Sequence, residues 1–131
     1  MTKDIEIIDA HHHFWDLNQN YYPFLSDKID LNFFLGNYES IRKNYLPIDY
    51  IKDSKNHNII GTVHCEAEWN REDQVGETKW LEKLSKTNKF PNAIVSHAWF
   101  HKKNAEAIIA EQASFDMVKG IRSKPSIRLS R

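Results

Sequence analysis

The 131-residue sequence has one cysteine, four glycines, four prolines and no excess charge of either sign. Cys65 cannot form a disulfide within the chain, so the fold must come from packing, and a reducing compartment is the expectation. So few glycines and prolines, with no low-complexity tract and no repeat, leave no linker to cut at. Residues 1–131 therefore read as one domain or part of one. Eighteen Lys and Arg balance eighteen Asp and Glu. That balance argues against nucleic-acid and anionic-membrane partners, whose binding rests on a basic surplus. No apolar run approaches the roughly 18 to 20 residues that span a bilayer. The opening MTKDIEII meets an acid before any signal-type apolar stretch. A cytoplasmic protein is expected.

What is present is an alternation of short β-like runs with helical spacings. The runs fall at 5–13, 58–67, 93–100 and 117–122. Between them, 72–86 sets Val75, Thr78, Leu81 and Leu84 along one side and runs from acidic to basic, as the helix dipole prefers. Residues 104–113 carry the stripe Ala105, Ile108, Ile109 and Ala113 behind Asn104 as N-cap, and 48–56 suits a shorter helix. Strands alternating with helices predict an α/β fold of βαβ units around a mainly parallel sheet, with ligands at the carboxyl ends of the strands. Residues 17–47, rich in Tyr, Phe, Asn and Leu, break this rhythm. They suit either a lid-like loop or a packed insertion with a short helix near 38–43.

The chemistry-bearing residues gather at the ends of the runs. In IIDAHHHFWD, a period of two sends Ile7, Asp9, His11 and His13 to one face and Ile8, Ala10, His12 and Phe14 to the other. His11 and His13 could then share a metal ion, although a catalytic zinc needs about three protein ligands. They could equally be hydrogen-bonded polar residues at a strand end. On the second run Val63, Cys65 and Ala67 alternate with Thr62, His64 and Glu66. With the oily face on the helices, His64 and Glu66 point the other way, toward a ligand or toward a charged neighbour. Cys65 then lies on the helix side as a small buried hydrophobe. His97 can face a site or bond the backbone, while His57 and His101 read as loop residues. Trp80 and Trp99 read as helix-to-sheet packing. The last eleven residues hold no acid, and their arginines suit carboxylates through paired hydrogen bonds.

The segment DAHHHFW resembles the opening His-x-His motif of the amidohydrolase superfamily. It is most similar to the amidohydrolase-related group of metal-dependent (β/α)8 hydrolases, which includes sugar lactonases and the 2-pyrone-4,6-dicarboxylate lactonase. YPFL resembles that group's aromatic-Pro-aromatic-Leu loop, VHCEAEW its second strand and VGETKWL the helix after it. SHAWF and VKGIRSKP resemble the third and fourth strands, so the likeness covers the whole chain. It implies His11 and His13 as ligands of a divalent metal, with zinc first in mind, although some members are metal-independent. It also implies Trp15 at the mouth, and Arg122 and Arg128 on substrate carboxylate or lactone oxygens, beside His64 and Glu66.

A barrel of this type takes about 250 residues, roughly 31 per βα unit, so 131 residues hold about four units, the N-terminal half. The ligands and proton-transfer group that the superfamily carries on strands five, six and eight have no counterpart here. Two functions follow from the resemblance. One is hydrolysis of a small lactone or similar cyclic ester by an activated water. The other is a catalytically incompetent truncated fragment, or a half barrel that works only by pairing with another chain, a homodimer among the possibilities.

Overall fold

Four short runs rich in Ile, Val and Ala become the strands of one parallel sheet in the computed structural model, which describes residues 4–124. β1 spans Glu6–His12, β2 Asn58–Cys65, β3 Ala93–His97 and β4 Val118–Arg122. Their order in space is their order in the chain, β1-β2-β3-β4, and each neighbouring pair is parallel. Parallel neighbours need long crossovers, and helices supply them. α2 (Pro47–Asp53) precedes β2, α3 (Gly76–Ser85) links β2 to β3, and α4 (Ala105–Ala113) links β3 to β4. α2 starts where its sequence says it should: Pro47 stands at its first turn and the Asp49 carboxylate accepts the Leu46 amide at 2.9 Å. Asn104 stands at the N-cap of α4 but makes no side-chain capping bond.

The stretch between β1 and α2 is a packed insertion. It holds a single helical turn, α1 (Pro23–Ser26), and a 3-10 turn at Glu39–Ile41, inside the range where a short helix was expected. Tyr22, Leu25 and Tyr38 are buried in it, and Arg42 crosses it to donate to the carbonyls of Leu25 and Asp27. Trp15 and Tyr45 exchange backbone bonds at 3.0 Å and tie its two ends together.

One face of the sheet carries the helices. Phe14, Tyr50, Leu81, Phe90 and Ile94 make the main core, with Val118 packed against it. Ile94 pairs in register with His64 and with Val118, so these three share the helix-covered face. The other face holds Ile8, Val63, Val95 and Gly120. No described helix covers it, Ile8 is 63% exposed, and the rest are partly exposed. Two expectations about facing are therefore corrected. His64 lies toward the helices, and Cys65 lies on the opposite face, where it is nonetheless buried. Strict alternation in β1 also fails, because the register slips between Asp9 and His12. Asp9 accepts from the Tyr50 hydroxyl at 2.7 Å and the His12 ring lies 5.1 Å from that of Tyr50, so both meet α2. Among the described residues no helix is long and apolar enough to cross a membrane.

Candidate functional site

At the carboxyl ends of the strands the backbone leaves the ladder and side chains take over its hydrogen bonds. His13, just past β1, meets the Cys65 carbonyl through Nδ1 at 2.7 Å. A carbonyl only accepts, so the neutral ring carries its proton on Nδ1 and its lone pair on Nε2. Burial pulls the His13 pKa down to about 4 against the help of that carbonyl, which keeps the ring neutral at pH 7. His11 is exposed, and its ring centroid lies 5.1 Å from that of His13. Trp15 stacks against the His13 ring with centroids 6.2 Å apart.

The structure thus brings His11 and His13 together and gives His13 a lone pair suited to a metal. Two imidazoles fit part of a zinc donor set. Among the described residues, however, no group of three or more His, Cys, Asp or Glu side chains is placed to hold a metal ion.

His12 lies between the two and behaves differently. It is buried against Phe14, Tyr50 and His64, and neither ring nitrogen has a partner among the described residues. Burial first, and the nearby His64 second, pull its pKa down to about 3.

Glu66 follows the end of β2 and is 3% exposed. Its Oε1 accepts from Arg122 Nε at 2.8 Å, its carbonyl accepts from Arg122 Nη2 at 2.8 Å, and its Oε2 accepts the Glu68 amide at 3.0 Å. Arg122 ends β4, so this clamp joins the second and fourth strands across the sheet. The guanidinium expected to meet a substrate carboxylate is held by Glu66 through Nε and Nη2. Glu68 takes a left-handed backbone (φ 59°), uncommon for a residue with a Cβ, and such strain concentrates at functional sites. Its carboxylate meets Lys124 and Arg71. Those two cations hold its pKa below the usual value although burial alone would raise it.

His97, which the sequence left undecided, pairs in register with Arg122 on the helix-free face. Its Nδ1 is buried without a partner among the described residues, and its ring stands edge-on to Trp99 at 4.5 Å. Burial lowers its pKa, opposed chiefly by Glu66. Trp99 sits at this mouth, with the Arg71 guanidinium 5.0 Å over its ring, and not between helix and sheet. Trp80 does pack against the core, and His57 and His101 are exposed as expected. Glu66, Glu68, Arg71, Gln74, His97 and Trp99 all line one small cavity.

His64 is not at this mouth. It is fully buried, its Nε2 lies 2.9 Å from Glu77 Oε1 on α3, and its Nδ1 accepts the Phe14 amide at 3.0 Å. Burial drives the His64 pKa down to about 3 and that of Glu77 up to about 8. Cys65 is held above its usual pKa by burial, as befits a packed thiol. Arg128 lies outside the described residues.

Comparison with known proteins adds length more than chemistry. No protein-family model matches the chain, and no solved structure matches it. It is 40% identical over 120 residues to "Uncharacterized protein y4mH" of Sinorhizobium fredii. The match takes in 92% of this chain but 40% of that relative, so the chain spans well under half the relative's length.

Proposed function

We propose that this chain is the N-terminal half of a (β/α)8 barrel of the amidohydrolase-related group, and that the complete barrel hydrolyses a small lactone or similar cyclic ester. The observation that carries the reading is the meeting of His13, Glu66, His97 and Arg122 at the carboxyl ends of sequentially ordered parallel strands. Enzymes of this architecture build their sites at that end. In a doubly wound sheet the strand order reverses at a switch point, whereas sequential order is that of a barrel wall. Since 120 residues make 40% of the rhizobial relative, that protein has about 300 residues, ample for eight units.

Hydrolysis adds a water oxygen to the lactone carbonyl carbon, breaks the ring C–O bond and passes a proton to the departing alkoxide. His97, with a buried Nδ1 that has no described partner, is the group that would take up and return that proton. The Arg122 edge not used on Glu66 would steady the oxyanion. His11 and His13 would hold a zinc ion together with ligands from outside the chain, and zinc would supply Lewis-acid chemistry.

A second reading, a half barrel inactive until another chain completes it, is favoured by the bare apolar face and by the two-histidine donor set. That other chain could be a second copy.

The test is lactone hydrolysis, followed at constant pH over a panel of carboxylated lactones with and without zinc. The 131-residue chain is assayed alone and co-expressed with the part of the rhizobial relative outside the aligned region. Turnover by the pair, reduced about 100-fold or more in His97→Ala, is the expected result. A folded, co-purifying pair that opens none of the lactones would overturn the proposal. Turnover by the chain alone would overturn the second reading.

A further inference from the structure

We infer that Glu77 and His64 are positioning residues: one oxygen on α3 fixes the backbone beside both His13 and Glu66, and so sets which nitrogen of His13 is free. The bonds form a directed chain. The Phe14 amide can only donate, so His64 Nδ1 accepts it and the His64 proton lies on Nε2. That Nε2–H donates to Glu77 Oε1 at 2.9 Å, and the same oxygen accepts the Ala67 amide at 2.8 Å. Phe14 is the residue after His13 and Ala67 the residue after Glu66. Between these two anchors, the carbonyl of Cys65 receives the His13 Nδ1–H at 2.7 Å. A rotation of the β2 end would break all three bonds together.

Burial gives the arrangement its stiffness. His64 is 0% and Glu77 4% exposed, so water cannot replace a lost partner. The rest of α3 is anchored independently, with Leu81 in the core and Thr78 donating to the fully buried Gln112 of α4 at 2.7 Å. The carboxyl side chain therefore reports to a fixed helix. An amide would do the same work, since both bonds to Glu77 fall on one oxygen that acts purely as an acceptor.

The value of this relay for catalysis rests on the hydrolase reading, but its test does not. Long-range 1H–15N correlation spectra of the labelled 131-residue chain report the tautomer of each histidine, with His11→Gln and His97→Gln variants used for assignment. Wild type is expected to show His64 as Nε2–H and His13 as Nδ1–H. Glu77→Gln should leave both unchanged. Glu77→Leu should reduce the His13 ratio of Nδ1–H to Nε2–H about fivefold, the worth of roughly one net hydrogen bond, in a chain whose amide spectrum remains dispersed. A wild-type His64 protonated on Nδ1 would overturn the inference, whatever becomes of the variants. So would a Glu77→Leu chain that melts lower with the His13 tautomer intact, which is what a merely structural residue would give. Failure of lactone turnover, by contrast, would leave these spectra unaltered.

Discussion

The two faces of the sheet solve the burial problem in opposite ways. The helix-covered face accepts polar groups and partners many of them: Asp9 with Tyr50, and His64 with both Phe14 and Glu77. The bare face is apolar along Ile8, Val63 and Val95 yet only partly removed from water. Parallel sheets in soluble proteins are normally covered on both faces. The covered face thus fixes the geometry of this chain, while the bare one keeps apolar side chains in contact with water.

The comparison breaks most visibly with pH. His12, His13 and His64 are held at about 3, 4 and 3, below the ordinary imidazole value of 6.5, chiefly by burial. Glu77 is held at about 8, above 4.5, for the same reason. Below pH 6.5 the unfolded chain binds protons on those imidazoles that the folded chain refuses, so stability should rise as pH climbs from about 4 to 6.5. The Glu77 carboxyl acts the other way, being protonated when folded and ionised when unfolded between 4.5 and 8. Three imidazoles outweigh one carboxyl up to 6.5, and above it the carboxyl acts alone. Urea midpoints measured from pH 4 to 8 should therefore peak near 6.5, and Glu77→Gln should flatten the decline above the peak. A midpoint that does not change between 4.5 and 6.5 would mean that these histidines are solvated.

Neighbouring residues on β3 sharpen the same contrast. Ile94 is 1% exposed within the core, while Val95 points to the bare face and is partly exposed. Ile94→Ala should cost about 3 kcal/mol in denaturant unfolding, from lost transfer energy and the cavity left behind. Val95→Ala should cost about 1 kcal/mol or less, because water already reaches that side chain. Equal losses would show that the bare face is covered in solution.

Much of the scaffold was legible in the sequence. All four strands and the three crossover helices fall where periodicity put them, with ends moved by a few residues. Among the strands the trimming is greatest at the carboxyl ends of β2 and β3, and just past β1 His13 and Phe14 bond the Cys65 carbonyl and the His64 ring instead of a neighbouring strand. Facing was less legible. A hydrophobic pattern assigns His64 to the side away from the helices, because it cannot register that a helical carboxyl thirteen residues on will satisfy the ring. The slip between Asp9 and His12 likewise has no glycine to announce it. One signal was available: Glu77 stands four residues before Leu81, on the buried stripe of α3, where an acid needs a partner. The sequence marks Arg122 and Glu66 separately as candidate site residues, but they lie 56 positions apart and only the parallel sheet pairs them.

The smallest effect on stability should carry the clearest statement about the bare face. Ile8 is 63% exposed at the edge strand, next to Gly61, where an added Cβ would touch its Cγ1 at 3.9 Å. Ile8→Lys removes little buried area, so the unfolding midpoint should move by no more than about 0.5 kcal/mol. Its effect on association should be larger. An apolar edge with unpaired backbone groups invites another strand, and a lysine is the usual means of blocking one. Light scattering should show wild-type chains associating as concentration rises and Ile8→Lys remaining monomeric. If both stay monomeric, the exposed face does not drive pairing and the half-barrel reading must find its partner contacts elsewhere.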